Sequence, residues 1–433
     1  MATAVRSLLR HRDFQLLWAG QTVSRVGTEV STLALPLIAI QLLHATTFEV
    51  GSLTAVEFLP FLLVGLPAGA WVDRMRRRKV LIVADIGRFV ALASVPFAHA
   101  FASLTLAHLF VVAFITGVLT VFFDVAYQSY LPELVTREQL VDGNAKLAAS
   151  ESTAHVVGPG VGGALIGAVG ASTAVVADAI SYALSCVCLL FIRTPSEEPE
   201  RPADGTRPSL VADIREGLRF VWHENRIRAV AFCTATSNLF SGVSAAVVLL
   251  LMTRVLGFSG GKIGLVFAFG GIGAIVGAVA APWLAKRYGV GPAILMAILV
   301  AGLGPVLVAM ADGSLAPALL ALGFGIEGGG GVAYNINQVS VRQALCPRRL
   351  QGRMNASVRF LVWGTLPLGG FLGGVLGSTI GIRPTLWVAA GGTVLSFLWL
   401  LPSPIPRMKD MPPPVDEPHI EEMLGTAVEA PTP

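Results

Sequence analysis

Acidic residues in the middle of long apolar runs are the residues of this sequence best suited to chemistry. Glu29, Asp124 and Glu327 each lie among mostly apolar neighbours. Because a charged side chain in hydrocarbon is costly, such residues usually face a partner or a water-filled cavity. A carboxylate that has lost its water can take up a proton on one side of a membrane and release it on the other. These residues are therefore candidates for moving protons.

Glu327 is the strongest of these candidates. No basic residue lies within one helical turn of it, and four glycines at 328–331 follow it. Glu29 instead has Arg25 one turn earlier, a spacing at which two side chains on a helix can pair. A structural role and a functional role are therefore equally open for Glu29.

Two further pairs of ionisable residues favour structural roles. Asp85 and Arg88 are three residues apart, and this spacing predicts an ion pair within one helix. Glu151 and His155 are one turn apart. We expect them to form a packing pair, with a site that titrates near neutrality as the alternative.

The elements that must hold these residues are membrane-spanning helices. Apolar residues make up 54% of the chain and charged residues only 13%, whereas about a quarter of the residues in a soluble domain are charged. A helix needs about 20 mostly apolar residues to cross the hydrocarbon, and twelve such runs follow one another along the chain. The sequence predicts an all-α membrane protein with twelve transmembrane helices in two pseudo-symmetric six-helix bundles.

A polar segment divides the twelve runs into two sets. The predicted domains are an N-terminal six-helix bundle over 1–192, a linker over 193–225, a C-terminal six-helix bundle over 226–402 and a disordered tail over 403–433. Apolar residues at helical spacing between 210 and 221 predict an amphipathic helix within the linker. Such a helix is expected at the membrane interface.

The basic residues set the expected orientation. Lys and Arg concentrate at the N-terminus and at every second connection, most densely over 74–79, while the other connections hold only Arg254, Lys262 and Arg383. Because basic residues collect on the cytoplasmic side, both termini are expected in the cytoplasm of a protein in the cytoplasmic (inner) membrane. Arg342 and Arg359 lie close enough to helix ends to extend their charges there.

Several classes of protein find no support in the sequence. It has no recognisable catalytic triad, metal-binding motif or phosphate-binding loop, and its four cysteines lack paired metal-ligand spacing. We therefore expect no enzymatic activity, no cofactor, no metal and no nucleic-acid partner.

Two motifs carry a resemblance to a known family. The connection between spans 2 and 3, with Gly69, Asp73, Arg74, Arg77 and Arg78, resembles the signature loop of the major facilitator superfamily. A second motif lies in span 5 and is similar to the antiporter motif of drug:proton antiporters, the branch that includes macrolide-efflux and enterobactin-exporter-like proteins. Its residues are Gly158, Pro159, Gly162 and Gly163.

The resemblance implies where a substrate binds. In that fold helices 1, 4, 7 and 10 line a central cavity, which would bring together five polar residues: Glu29, Asp124, Asn238, Glu327 and Asn335. Span 4 carries Ala113 where the family has a buried Arg, so the resemblance supplies no coupling residue at that position.

The expected function is secondary transport. The chain resembles a monomeric exporter of an amphipathic drug, macrolide or siderophore-like molecule that exchanges it for protons across the lipid bilayer by alternating access. Two alternatives remain open. One is an importer or facilitator of a small metabolite, and the other is a non-transporting scaffold or sensor on the same fold.

Asp73 is expected to act as a conformational latch, because its carboxylate can accept hydrogen bonds from helix N-termini or pair with a nearby arginine. Substituting Asp73→Asn should leave the protein in the membrane but slow transport, since the contact that closes this face is weakened. Transport rates of reconstituted protein test this prediction. An unchanged rate would remove the latch.

Overall fold

The structure is a computed structural model. It describes residues 8, 11–72, 74–136, 139–194, 210–347, 350–413 and 415. Within these ranges the chain forms α-helices joined by short connections. In chain order they are α1 (Arg12–Gln41), α2 (Thr47–Leu63), α3 (Gly65–Val72), α4 (Arg77–Ala100), α5 (Leu106–Leu134), α6 (Leu140–Val169), α7 (Ala171–Phe191), α8 (Leu210–His223), α9 (Asn225–Leu250), α10 (Gly260–Tyr288), α11 (Val290–Met310), α12 (Ala316–Leu345), α13 (Gln351–Trp363), α14 (Thr365–Thr379) and α15 (Ile382–Leu395).

The helices form two bundles of six crossings each. In the described ranges ten helical segments are long and apolar enough to cross a membrane. The remaining two crossings are the interrupted segment α2–α3 and the shorter α15, which a turn of 3-10 helix over Ser396–Trp399 extends. The prediction of an all-α membrane protein with two six-helix bundles is confirmed.

The two faces of the molecule differ in charge. We call the face at which α1, α4, α6 and α13 begin the basic face, and the other the opposite face. At the basic face the Asp13 carboxylate accepts hydrogen bonds from the backbone N–H groups of Arg193 and Thr194, which ties the start of α1 to the end of α7. At the opposite face Arg254 donates a hydrogen bond to the carbonyl of Ala45 and so links the two halves.

Spans 2 and 11, each a single apolar run in the sequence, are interrupted in the structure. The interruptions fall at Val64 and Gly364, each three residues before a proline, Pro67 or Pro367. Proline has no N–H to donate to the carbonyl four residues earlier, and its ring clashes with that carbonyl. Other prolines, such as Pro96 and Pro305, lie within continuous helices, and the two breaks share a second feature, a glycine at the break, Gly65 or Gly364.

The predicted amphipathic helix is present as α8, and it packs on the C-terminal half. Gly217 lies so close to the backbone of Arg353 in α13 that a Cβ would overlap it. Phe220 and Val221 are buried, and Glu216 forms an ion pair with Arg353. The rest of the predicted linker, 195–209, lies outside the described residues.

The C-terminal segment differs from the prediction of disorder from 403 onward. Residues 403–413 run along the base of α11, where Val290 and Gly291 donate backbone hydrogen bonds to the carbonyls of Lys409 and Met408. Val415 donates a backbone hydrogen bond to Leu345 at the end of α12. Residues 416–433 lie outside the described residues.

The halves meet at the opposite face through two glycine crossings. Gly51 in α2 lies against Gly374 in α14, and Gly163 in α6 lies against Gly264 in α10. A Cβ on Gly51 or on Gly163 would overlap the Cα of its partner. Small residues allow such close approach of membrane helices. Around these crossings an apolar cluster from both halves closes the opposite face.

Substituting Gly264→Ala should destabilise the closed opposite face by about 1–3 kcal/mol, the usual cost of overpacking. Its Cβ would overlap Gly163, whereas Gly261, one turn earlier on α10, has open space around the corresponding position. Spin labels at Leu42 and Ser259 should therefore report a wider distribution of distances in Gly264→Ala but not in the matched control Gly261→Ala. Identical distributions in the two variants would contradict the prediction.

Candidate functional site

A cavity of about 1260 Å³ lies between the two halves. Its walls come from α1, α2, α4, α5, α6 and α7 of the N-terminal half and from α9, α12 and α13 of the C-terminal half. The lining includes Asn144, Gln343 and Asn355, which lie within a few residues of helix ends at the basic face. The cavity is thus accessible from the basic face and closed at the opposite face.

Asp124 is the centre of an ionic cluster in this cavity. Arg25 in α1 donates a hydrogen bond to its carboxylate at 2.9 Å, and Arg359 in α13 lies 3.8 Å from its other oxygen. Arg25 also lies 3.9 Å from Glu151 in α6. The cation nearest Asp124 therefore comes from α1, while position 113 of α5 is an alanine that also lines the cavity.

Glu29 pairs with His155, which differs from both sequence expectations for these residues. His155 Nδ1 lies 2.6 Å from Glu29 Oε1, joining α6 to α1. Arg25 contacts Asp124 instead of Glu29. The predicted packing pair of Glu151 with His155 is therefore wrong, because tertiary partners on α1 replace the neighbour one turn away.

The motif in α6 makes room for this pair. A Cβ on Gly158 would overlap the side chain of Glu29, and a Cβ on Gly162 would press on the backbone of Val30. Gly163 instead contacts Gly264 across the two halves. Pro159 lies between these glycines, and a Cβ on Gly264 would come within 2.9 Å of its carbonyl oxygen. The motif thus packs α6 against both α1 and α10.

The structure places three of the five expected cavity residues in one lining. Glu29, Asp124 and Asn335 line the cavity, whereas Asn238 and Glu327 are not among its lining residues. Asn238 donates a hydrogen bond to the carbonyl of Val362. Glu327 lies against Gly304 of α11. Glu327 and Asn335 are eight residues apart on α12. At about 100° per residue, their side chains point in directions about 80° apart around the helix axis, so only Asn335 faces the cavity.

Asp85 and Arg88 form the predicted ion pair within α4, and this prediction is confirmed. Their side chains are almost completely buried, with exposed fractions of 0% and 4%. The Arg88 guanidinium also stacks on two rings, 4.3 Å from the centroid of Phe123 and 4.2 Å from that of Tyr182. This cluster joins α4, α5 and α7 inside the N-terminal half, so its contacts are those of a structural element.

The signature loop is only partly described. Gly69 lies on α3, and Asp73, the expected latch, lies outside the described residues. Arg77 forms an ion pair with Glu133 at the end of α5. Arg78 donates hydrogen bonds to the carbonyls of Leu189 and Leu190 at the end of α7, at 3.0 and 2.8 Å.

Arg74 lies in the turn between α3 and α4 and is exposed. Arg77 and Arg78, in contrast, contact the ends of neighbouring helices. Two of the three hold the N-terminal half together at the basic face.

Sequence reasoning did not assign several charged residues to the cavity lining, namely Arg25, Glu57, Glu151, Asp178, Arg342 and Arg359. Arg342 and Arg359 were expected to reach toward helix ends, yet both line the cavity, and Glu57 in α2 does so as well. The signal for Arg342 was its spacing from Asn335 and Gln338, since positions i, i+3 and i+7 share one face of a helix. No comparable pattern singled out Glu57.

The described residues contain no group of three His, Cys, Asp or Glu side chains arranged to hold a metal ion. The carboxylates, arginines and histidine that line the cavity offer acid–base and electrostatic interactions. A polar cavity between two helical bundles, open at one face and closed at the other, defines the class of secondary transporters with two related halves.

Comparison with known proteins agrees with this class. The family model of the Major Facilitator Superfamily matches residues 17–366. The chain belongs to the major facilitator superfamily, as its motifs predicted, and is a membrane transporter rather than an enzyme.

Two relatives are named as efflux proteins. The multidrug efflux pump Tap of Mycobacterium tuberculosis is 27% identical over 436 residues, covering 98% of this chain and 100% of the relative. Macrolide efflux protein A of Streptococcus pyogenes is 24% identical over 206 residues, covering 47% of this chain and 50% of the relative.

Among solved structures, a bacterial homologue of the iron transporter ferroportin in an inward-facing state matches with a TM-score of 0.71 at 17% identity. The match covers 90% of this chain and 98% of that one. At this identity the likeness establishes the fold.

Substituting Arg88→Met should destabilise the protein by about 3–5 kcal/mol, because the buried Asp85 carboxylate loses its counter-ion. Thermal unfolding in detergent measures the loss. The double variant Asp85→Asn with Arg88→Met removes both charges and should recover most of the stability. If the double variant is no more stable than the single one, the ion pair is not the reason for the loss.

Proposed function

We propose that this transporter exports amphipathic small molecules in exchange for protons by alternating access. The observation that carries the proposal is the cavity, which is open at one face only and holds titratable side chains that contact one another across helices. The efflux function of the relatives supports the direction of transport.

In this proposal the basic face lies in the cytoplasm, with both termini on that side of the cytoplasmic membrane. The excess of Lys and Arg in the connections at this face supports the assignment. The structure then corresponds to the state that takes up substrate from the cytoplasm. The protein works as a monomer, because one chain supplies both halves and the whole cavity.

The pair Glu29 and His155 is the proposed proton carrier. Its two groups contact each other at 2.6 Å, and both line the cavity. When a proton binds to the pair, the charge of the pair changes by one. A proton that binds here changes the field at the place where substrate binds. The sequence favoured Glu327 as the proton-carrying residue, whereas the position of Glu29 in the cavity lining favours Glu29 for this role.

Substituting Glu29→Gln should abolish export driven by a pH gradient while leaving substrate binding detectable, because an amide cannot exchange a proton. The matched variant Glu327→Gln, which removes an acid of α12 outside the lining, should retain most of the coupled transport. Proteoliposomes with an imposed pH gradient provide the measurement. Loss of coupling in Glu327→Gln alone would move the proton site to α12.

A measurement in whole cells tests the direction of transport. In cells, a protonophore should raise the accumulation of a fluorescent substrate only where the transporter is active. Accumulation that increases with expression of the transporter would support an importer and contradict the proposal.

A further inference from the structure

The two halves contribute charges of opposite sign to the cavity. The described lining residues of the N-terminal half include five carboxylates, with Arg25 and His155 as the basic groups. The carboxylates belong to Glu29, Glu57, Asp124, Glu151 and Asp178. The described lining residues of the C-terminal half include two arginines and no acidic residue. One wall of the cavity is thus acidic and the other is basic.

The basic wall suits an acidic oxygen group. Arg342 and Arg359 face the cavity from α12 and α13, together with the amides of Asn335, Gln338 and Asn355. No carboxylate among the described residues pairs with Arg342, and its Nε atom is buried without a hydrogen bond. Guanidinium groups bind carboxylates through paired, charge-assisted hydrogen bonds.

The acidic wall suits a positive group. Glu57 in α2 lines the cavity, and no hydrogen bond or ion pair engages its carboxylate within the described part of the chain. Two rings on neighbouring turns, Phe58 and Phe61, also line the cavity. Phe61 lies 5.1 Å from the ring of Trp363 in α13, so an aromatic surface continues from one half to the other.

The contact between Asp124 and Arg359 is a long one. Their 3.8 Å separation is much longer than the 2.7–2.9 Å, roughly, of a charge-assisted hydrogen bond. The arginine also lies 5.1 Å from the ring centroid of Trp363. A ligand anion can therefore replace Asp124 beside Arg359 without breaking a short bond.

We propose that the cavity binds an amphoteric small molecule, one that carries both an ammonium and an acidic oxygen group on an aromatic body. The ammonium lies at Glu57 and Glu29, and the acidic oxygen lies between Arg342 and Arg359. This inference rests on the proposed function in taking the cavity as the transport site, and it adds the class of substrate. A molecule with only a positive charge would be repelled by the arginines of the basic wall. A molecule with only a negative charge would be repelled by the carboxylates of the acidic wall.

Matched ligands test the proposal by binding, independently of transport. The probes are norfloxacin, which is a zwitterion, its methyl ester, which is a cation, and N-acetylnorfloxacin, which is an anion. A second series uses 2-naphthylalanine, its methyl ester and its N-acetyl derivative. Quenching of Trp363 fluorescence in purified full-length protein reports binding, with Trp363→Phe as the background.

The zwitterion of at least one series should bind at least tenfold more tightly than its ester and its N-acetyl form. Arg359→Gln or Arg342→Gln should lower the affinity of the zwitterion toward that of its ester, and Arg342→Lys should restore part of it. Glu57→Gln should lower the affinity toward that of the N-acetyl form. Arg383→Gln, which removes an arginine paired with Asp312 outside the lining, is the matched control and should change nothing.

Equal or tighter binding of the esters in both series, or binding of none of the six compounds, would overturn the proposal. Size-exclusion profiles of the variants separate loss of binding from loss of folding. Transport separates the two proposals. If an ester is exported with a pH gradient and binds as tightly as the zwitterion, the proposal of an exporter stands and the proposal of an amphoteric substrate is contradicted. If the zwitterion binds more tightly but no export follows the pH gradient, the amphoteric substrate is supported and the proton-coupled exporter is contradicted.

Discussion

Contact between two backbones is the constraint on which the rest of the structure depends. Where α2 meets α14 and α6 meets α10, glycines leave no side chain between the halves. The bundles can therefore close completely at one face and diverge toward the other, and the cavity is the space between them. Larger residues at these crossings would hold the bundles apart and connect the cavity to both sides of the membrane.

Charge compensation inside the membrane is the second organising principle. Asp85 has its counter-ion on its own helix, Glu29 finds His155 on another helix, and Asp124 finds partners in both halves. These three arrangements differ in what they allow. The first is sealed by aromatic rings, whereas the other two face the cavity, where a proton or a ligand can replace a partner.

The fold was predictable from the sequence because composition and the length of apolar runs determine which segments cross a membrane. The local ion pair of Asp85 with Arg88 was predictable because both residues lie on one helix. The partners of Glu29 and Arg25 were not predictable, since they come from α6 and α5, and the rotation of each helix about its axis depends on packing. The same rotation separates Glu327 from the cavity. The charged walls became visible only when all lining helices were placed together.

The matching breaks in spans 2 and 11 have a consequence for how the basic face closes. Pro67 and Pro367 leave the segments α3 and α13 attached to the rest of their helices through interrupted hydrogen bonding, and these two segments contact each other. Bending at the two breaks can narrow the cavity mouth while the glycine crossings stay intact. In the alternating-access cycle proposed above, closure at one membrane surface and opening at the other are then two separable steps, and the state between them encloses the cargo from both sides.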